Sequence, residues 1–240
     1  MAKAFVVGAT GYTGRSVVEA LCRRGERVIA HVRPDSPRLA MWRERFATLG
    51  AEVDTTPFER DAMRATLSGV SPDLVFALLG TTRARARRSG DPGETHEAID
   101  YGLTSLLLDA TARAAASIEP PPRFVYLSSI GAGPKSGAYL RARWKIESEL
   151  AESGLPSVIA RPSFITGSDR DESRPGERFA ARLINGAAAV VGALGARRAR
   201  GRWRSITGPE LAEGLVAAAL DPEADGAVLS SHELRAYARS

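Results

Sequence analysis

Gly8, Gly11 and Gly14 stand at three-residue intervals directly after the apolar run Phe5-Val6-Val7. That pattern suits a loop that must hold a phosphate. A buried strand over residues 4–7, followed by a helix over roughly 14–24, would aim the first backbone N–H groups and the positive end of the helix dipole at whatever lies above Gly8. A dinucleotide pyrophosphate fits that geometry. Gly8 permits the tight turn, Gly11 lets phosphates approach the backbone, and Gly14 allows the helix to pack closely on the strand. Thr10, Tyr12 and Thr13 share the loop and complete the candidate phosphate-side set. The spacing is Gly-x-x-Gly-x-x-Gly, so by itself the loop is also compatible with an ordinary strand-to-helix turn. Its context, with a second strand arriving on cue, favours the cofactor reading.

That second strand, Arg27-Val28-Ile29-Ala30-His31-Val32-Arg33, carries the next piece of chemistry at its end. An acidic residue there would bind the adenosine ribose of NAD, whereas Arg33, with Ser36 and Arg38 close by, favours a 2′-phosphate and hence NADP. The alternative is a solvated surface arginine. Further along, Phe58 is placed to flank an adenine.

Strand and helix patterns alternate without a break in composition, which predicts one Rossmann-type, doubly wound α/β unit of three layers, αβα, with a parallel sheet. The expected helices cover residues 37–49, 59–69, about 94–116 and about 138–152. The expected third strand starts at 51–54 and leads to Phe58, and the later ones cover 72–80, 123–129 and 157–162. The strand order should be 3-2-1-4-5-6, with a possible seventh strand at Ala227-Val228-Leu229. In such sheets ligands lie beyond the carboxyl ends of the strands. That adds Leu79, Gly80 and Thr81, then Ser128 and Ser129, and then Pro162 and Ser163 to the site candidates. Residues 1–162 form the expected cofactor-binding core, and 163–240 a substrate-side portion covering the nicotinamide end.

A chain of 240 residues that is 44% hydrophobic can bury a large core without disulfide or metal. Cys22 is the only cysteine, so neither an internal disulfide nor a cysteine-based zinc site is expected. His31, His96 and His232 are scattered without ligand spacing, and no metal is expected. The start of the chain leads straight into the first strand, and the apolar stretch 186–196 is too short to span a bilayer. No membrane association is expected, and the cytoplasm is the simplest compartment. The net charge of +5 comes almost entirely from arginine, since Lys3, Lys135 and Lys145 are the only lysines. Two arginine clusters, at 83–88 and 197–204, raise the question of nucleic acid. They lack interleaved aromatics apart from Trp203, so a mixed surface and no specific nucleic-acid partner are expected. Composition leaves monomer and homodimer open.

The motifs in order are the glycine loop, Ser128-Ser129 after the fifth strand, Tyr139 at the start of the next helix, and Arg161-Pro162-Ser163 after the sixth. Together they resemble the atypical branch of the short-chain dehydrogenase/reductase superfamily. A narrower set is similar to the oxidoreductases related to the Tat-interactive protein. It comprises Leu79-Gly80-Thr81-Thr82-Arg83, Tyr139-Leu140 with Arg143, and Glu172-Ser173-Arg174-Pro175-Gly176-Glu177. The resemblance covers residues 1 to about 178.

It implies hydride transfer between NAD(P)H and a small carbonyl or alcohol. Tyr139 would serve as general acid/base and Ser129 as a hydrogen-bond donor to the reacting oxygen. A free phenol titrates near 10, so the superfamily places a lysine four residues after the tyrosine to assist it. Here that position is Arg143. Steps of about 100° per residue keep position 143 near the face of Tyr139 and turn Lys145 to another side. Arg143 can supply charge and donate to a ribose, but it cannot shuttle a proton. Two readings follow: an NADPH-dependent oxidoreductase, or an NAD(P)H-binding regulator or scaffold that has lost efficient redox chemistry. The stretch 169–177 is open between an ion-paired turn and a substrate-side loop.

Overall fold

Apolar strand residues alternate between two packed faces, and the elements follow from that. The computed structural model describes residues 1–80, 101–166 and 204–239. Thr81, the arginine clusters at 83–88 and 197–202, and the 169–177 stretch lie outside the described residues.

Strands β1 (Lys3–Val7), β2 (Arg27–His31), β3 (Glu52–Asp54), β4 (Leu74–Ala77), β5 (Arg123–Leu127) and β6 (Ser157–Arg161) are joined by helices. These are α1 (Tyr12–Arg23), α2 (Leu39–Thr48), α3 (Arg60–Val70), α4 (Thr104–Ala115) and α5 (Ala138–Glu152). The short strands β7 (Ile165–Thr166) and β8 (Ile206–Thr207) precede α6 (Gly208–Leu220), β9 (Ala227–Ser230) and α7 (Ser231–Tyr237).

The main sheet is parallel throughout, in the order β3-β2-β1-β4-β5-β6-β9. The expected order is therefore correct, and the seventh strand joins β6 with Arg161 opposite Ser230. Several strands are shorter than expected: β3 stops at Asp54 and β4 at Ala77, leaving Phe58 and Leu78–Gly80 in the loops that follow. The parallel β7–β8 pair had no counterpart in the sequence reading.

Within β1, Ala4 and Val6 face one core with α1, α2 and α6, while Phe5 and Val7 face the other with α3, α4 and α5. Successive side chains of a strand point to opposite faces, so an apolar strand covered on both sides builds both cores at once. The C-terminal elements belong to this same domain. Thr207 caps α6 by accepting from the Glu210 amide at 3.3 Å. At the other end Arg123 donates to the carbonyls of Ala219 at 2.9 Å and Asp221 at 2.6 Å, satisfying groups that a helix C-terminus leaves over. At Gly214 a Cβ would stand 2.0 Å from the Leu234 carbonyl oxygen, so α6 and α7 cross in backbone contact.

Candidate functional site

The glycine loop divides into two roles. Gly8 has φ +86°, and a Cβ there would lie 2.7 Å from the Leu78 carbonyl oxygen. At Gly14 a Cβ would lie 2.1 Å from the Gly8 carbonyl oxygen. These two positions are closed by the fold itself, because α1 and the β4 turn press against the loop backbone. Gly11 differs. It is exposed, its φ of −74° suits any residue, and the nearest atom to an added Cβ is the Gly8 oxygen at 3.2 Å. A side chain there would project into the loop mouth, where a pyrophosphate needs the room.

Gly11 is the N-cap of α1, the first turn carries no acid, and Arg15 N to Gly11 O at 3.0 Å opens the helical ladder. Helix geometry leaves the preceding N–H groups pointing at the mouth as an anion site. The Tyr12 side chain turns away from it. Its hydroxyl donates to the Thr166 carbonyl at 3.2 Å, and its ring fills the space beside Gly208. Thr10 lies in the loop, and Thr13 is buried in the first turn.

Around the adenine side, Arg33 stands exposed beyond β2 with a long ion pair of 3.8 Å to Asp35. Phe58 is half-buried and meets the His31 ring edge-on at 4.9 Å. His31 is buried and bonded to the Thr56 carbonyl at 2.7 Å. A carbonyl only accepts, so Nε2 carries the proton. Burial pushes the imidazole pKa down and keeps it neutral, against smaller opposing effects of that hydrogen bond and of Asp54. Asp54 in turn accepts from the amide and hydroxyl of Thr56, both at 3.0 Å. His31 is therefore a core residue that shapes the turn carrying Phe58.

Leu78 N donates to Val7 O at 3.0 Å, which holds the β4 turn against the glycine loop and brings Leu79 and Gly80 alongside it. Ser129 follows β5 half-buried, with a weak contact from its hydroxyl to the Ile130 carbonyl at 3.4 Å. Tyr139 lies in the first turn of α5, half-buried. One turn on, Arg143 is 4% exposed, with its guanidinium 5.3 Å from the Tyr139 ring centre and 5.8 Å from that of Tyr126. Its Nη1 donates to the Leu127 carbonyl at 2.8 Å. Lys145 reaches the Tyr101 ring instead, at 4.9 Å, so it stands on another side of the helix as the helical spacing requires. Pro162 is buried and accepts from Ile130 N at 3.0 Å. The Ser163 hydroxyl donates to the Arg204 carbonyl at 2.7 Å, and its amide donates to Ser231 Oγ at 2.9 Å.

Sequence reasoning missed one cluster. Glu147, 6% exposed, accepts from the Ser128 hydroxyl and from Arg161, whose Nε donates at 3.0 Å and whose Nη2 makes a second, shorter contact. It clamps the ends of β5 and β6 from one helix position. The available clue was its four-residue step from Arg143, which puts both on one face of α5. Among the described residues no group of three or more His, Cys, Asp or Glu is arranged to hold a metal ion.

An all-parallel sheet whose order reverses at β1, a glycine loop feeding a helix N-terminus there, and Ser129 and Tyr139 beyond β5 define an atypical short-chain dehydrogenase/reductase. The chain belongs to the NAD(P)H-binding family, whose model matches residues 8–180. Among curated relatives, protein fmp52, mitochondrial, of Aspergillus niger is 29% identical over 201 residues, covering 81% of this chain and 77% of its own. Protein HTATIP2 of Rattus norvegicus is 31% identical over 184 residues, covering 75% of this chain and 69% of its own. The enzyme WbmH of Bordetella bronchiseptica, solved in complex with NAD+, superposes with a TM-score of 0.61 at 15% identity, over 91% of this chain and 72% of that one. A nicotinamide dinucleotide is thus the cofactor class. Among the described residues, no helix is long and apolar enough to cross a membrane.

Proposed function

We propose that the chain is an NADPH-dependent oxidoreductase acting on a small carbonyl or alcohol. The observation that carries this reading is Tyr139 over the buried Arg143 guanidinium at 5.3 Å, one turn into α5, the helix that packs behind the Ser128-Ser129 end of β5. The choice of NADPH rests on Arg33. Its exposed 3.8 Å pair with Asp35 is of the kind worth at most about 1 kcal/mol, so the guanidinium can turn to a 2′-phosphate at little cost.

The loop residues fit the dinucleotide: the N–H groups at the start of α1 receive the pyrophosphate, and Gly11 leaves it room. When bound, the reduced nicotinamide supplies the hydride. With it bound, Tyr139 would donate its phenolic proton to the carbonyl oxygen of the alcohol being formed, Ser129 would donate a hydrogen bond to the same oxygen, and the Tyr139 phenolate would regain its proton from solvent. Arg143 favours negative charge developing on the phenol, but as a permanent cation it passes no proton on.

A second reading, an NAD(P)H-binding regulator or scaffold, draws on a specific observation. The Arg143 Nη1 is committed to the Leu127 carbonyl, deep in the core, where the superfamily presents a lysine. The two readings separate on NADPH oxidation against a panel of aldehydes, ketones and quinones, with Tyr139→Phe as control. Turnover that depends on the Tyr139 hydroxyl supports the enzyme. Tight NADPH binding with no turnover across the panel supports the regulator.

The partner in this reading is a small molecule, with no specific nucleic acid and no membrane, and the chain works as a monomer or homodimer; sedimentation distinguishes those two. The single cysteine suits a reducing compartment, and the cytoplasm is our reading. Fractionation tests it against the mitochondrial location in the fungal relatives' names.

A further inference from the structure

Helix α5 carries Tyr139 in its first turn, and its N-cap, Gly137, has no side chain with which to brace that end. Farther along, Ile146 and Leu150 are buried in the core beneath the sheet. Apolar burial presses the helix onto the strands but is non-directional, so it does not by itself fix how far the helix slides along its axis. Directional bonds do that. Two sets of them, one turn apart, run from α5 to the end of β5: Arg143 Nη1 donates to the Leu127 carbonyl at 2.8 Å, and the Glu147 carboxylate accepts from the Ser128 hydroxyl.

The Glu147 tie reaches farther than the other. Pairing between β5 and β6 continues past the strand ends, with Ser128 N donating to Ala160 O at 2.8 Å and Ile130 N to Pro162 O at 3.0 Å. Ser129 therefore stands between two residues whose amides are pinned to the β6 side. Glu147 takes hold of the same two strand ends. Its Oε1 accepts from Ser128 and from Arg161 Nε at 3.0 Å, and its Oε2 accepts from Arg161 Nη2. One side chain, 6% exposed, thus joins the helix of Tyr139 to the strands that hold Ser129. The residue type is exacting, because an ionised carboxylate only accepts and here meets donors alone. An amide in its place would turn an NH2 group toward one of those donors.

We propose that Glu147 is a positioning residue of the oxidoreductase proposed above. By tying α5 to Ser128 and Arg161 it sets where Tyr139 stands relative to Ser129, so that both hydroxyls can serve one carbonyl oxygen. It touches neither substrate nor cofactor in this role and acts only through Tyr139. The inference rests on the oxidoreductase reading, and the test separates the two.

Glu147→Gln and Glu147→Asp are compared, each alone and in a Tyr139→Phe background, by steady-state and single-turnover NADPH oxidation well below the melting temperature. Glu147→Gln should lower kcat roughly 10–10²-fold, the scale of a displaced reacting group, while KM for the carbonyl and NADPH affinity by calorimetry change less than about twofold. Glu147→Asp keeps an anion for Arg161 on a shorter arm and should recover part of the loss. In the Tyr139→Phe background Glu147→Gln should cost nothing further, because the hydroxyl it positions is gone. In protein labelled with 3-fluorotyrosine, Glu147→Gln should move the fluorine signal of Tyr139, identified by its absence in Tyr139→Phe, and leave that of Tyr237 in place. If Glu147→Gln fails to fold, Ser128→Ala removes the hydroxyl bond, spares the ion pair, and should lower kcat only where Tyr139 is present. An equal fractional loss in both backgrounds, or an unmoved Tyr139 signal, overturns the positioning role and leaves Glu147 a stabilising residue. A Glu147→Asp rate no better than that of Glu147→Gln overturns the requirement for an anion. Turnover that needs Tyr139 but is indifferent to Glu147 and Ser128 overturns the inference and retains the oxidoreductase reading. A wild type that turns over no carbonyl removes that reading, and the role of Glu147 with it.

Discussion

Gly11→Val separates what the loop does for the fold from what it does for the ligand. At φ −74° and ψ 168° the backbone of Gly11 is in a region open to every residue, and the nearest atom to a new Cβ is the Gly8 oxygen at 3.2 Å. Valine is a poorer N-cap than glycine, so the expected cost to the apo protein is about 1 kcal/mol. For a chain of this size that is a fall in Tm of roughly 2–4 °C. The bound state should lose far more, because the isopropyl group occupies the mouth above the α1 N-terminus. With NADPH at about 100 times Kd, the wild type should gain ~2.7 kcal/mol, or roughly 5–11 °C. That gain should vanish in the variant. Gly14→Ala is the contrasting control: its Cβ would lie 2.1 Å from the Gly8 oxygen, so helix and strand must separate, and the apo protein itself should lose ~1–3 kcal/mol or more. The assay is thermal melting of all three proteins with and without NADPH. If Gly11→Val melts near the wild type and keeps the full NADPH-induced rise, the cofactor does not use this loop.

Arg33→Ala should cut the preference for NADPH over NADH about tenfold by calorimetry, leaving NADH affinity unchanged; an unchanged ratio removes Arg33 from cofactor choice. Tyr139→Phe should lower turnover by roughly 10²–10⁴ without loosening NADPH, and Arg143→Lys should keep or raise turnover, both read by steady-state kinetics. Because burial holds the His31 pKa below its ordinary 6.5, the unfolded chain takes up the proton first. Stability should therefore be full above about pH 6.5 and decline as pH falls from there toward the folded-state pKa. His31→Gln should flatten that part of a Tm-against-pH curve, and a parallel decline in both proteins would exclude His31 as its source. At physiological salt the protein should show no sequence-selective DNA or RNA binding in a mobility-shift assay, and any weak binding should vanish as salt rises.

Much of this arrangement was legible in the sequence, because its signals are local. Continuous apolar runs such as Leu74–Ala77 mark strands buried on both faces, and the alternation of such runs with helices dictates the sheet order. The α5 bounds came out as expected from Ala138 to Glu152, and Lys145 turned off the Tyr139 face because helical spacing leaves no choice. What escaped was long-range. The four-residue step from Arg143 puts Glu147 on the face of α5 that carries Arg143, but it does not say that Glu147 will meet Ser128 and Arg161 at the ends of two strands. The β7–β8 pair is two residues per strand, too short for any periodicity to show. Nor does the sequence show that the Ser163 and Tyr12 side chains bond to the Arg204 and Thr166 carbonyls, contacts that depend on where later chain returns.

The reach of Tyr12 makes the start of the domain hostage to its end. The phosphate loop is braced from outside by the Tyr12 hydroxyl, which donates to the Thr166 carbonyl, and by the Tyr12 ring lodged against Gly208, the first residue of α6. A bulkier residue at Gly208 would push on that ring and displace the mouth of the loop, though it touches no ligand. Natural variation in this far segment can therefore tune dinucleotide affinity without altering a single glycine, and a fragment ending before α6 would keep the motif but lose its support.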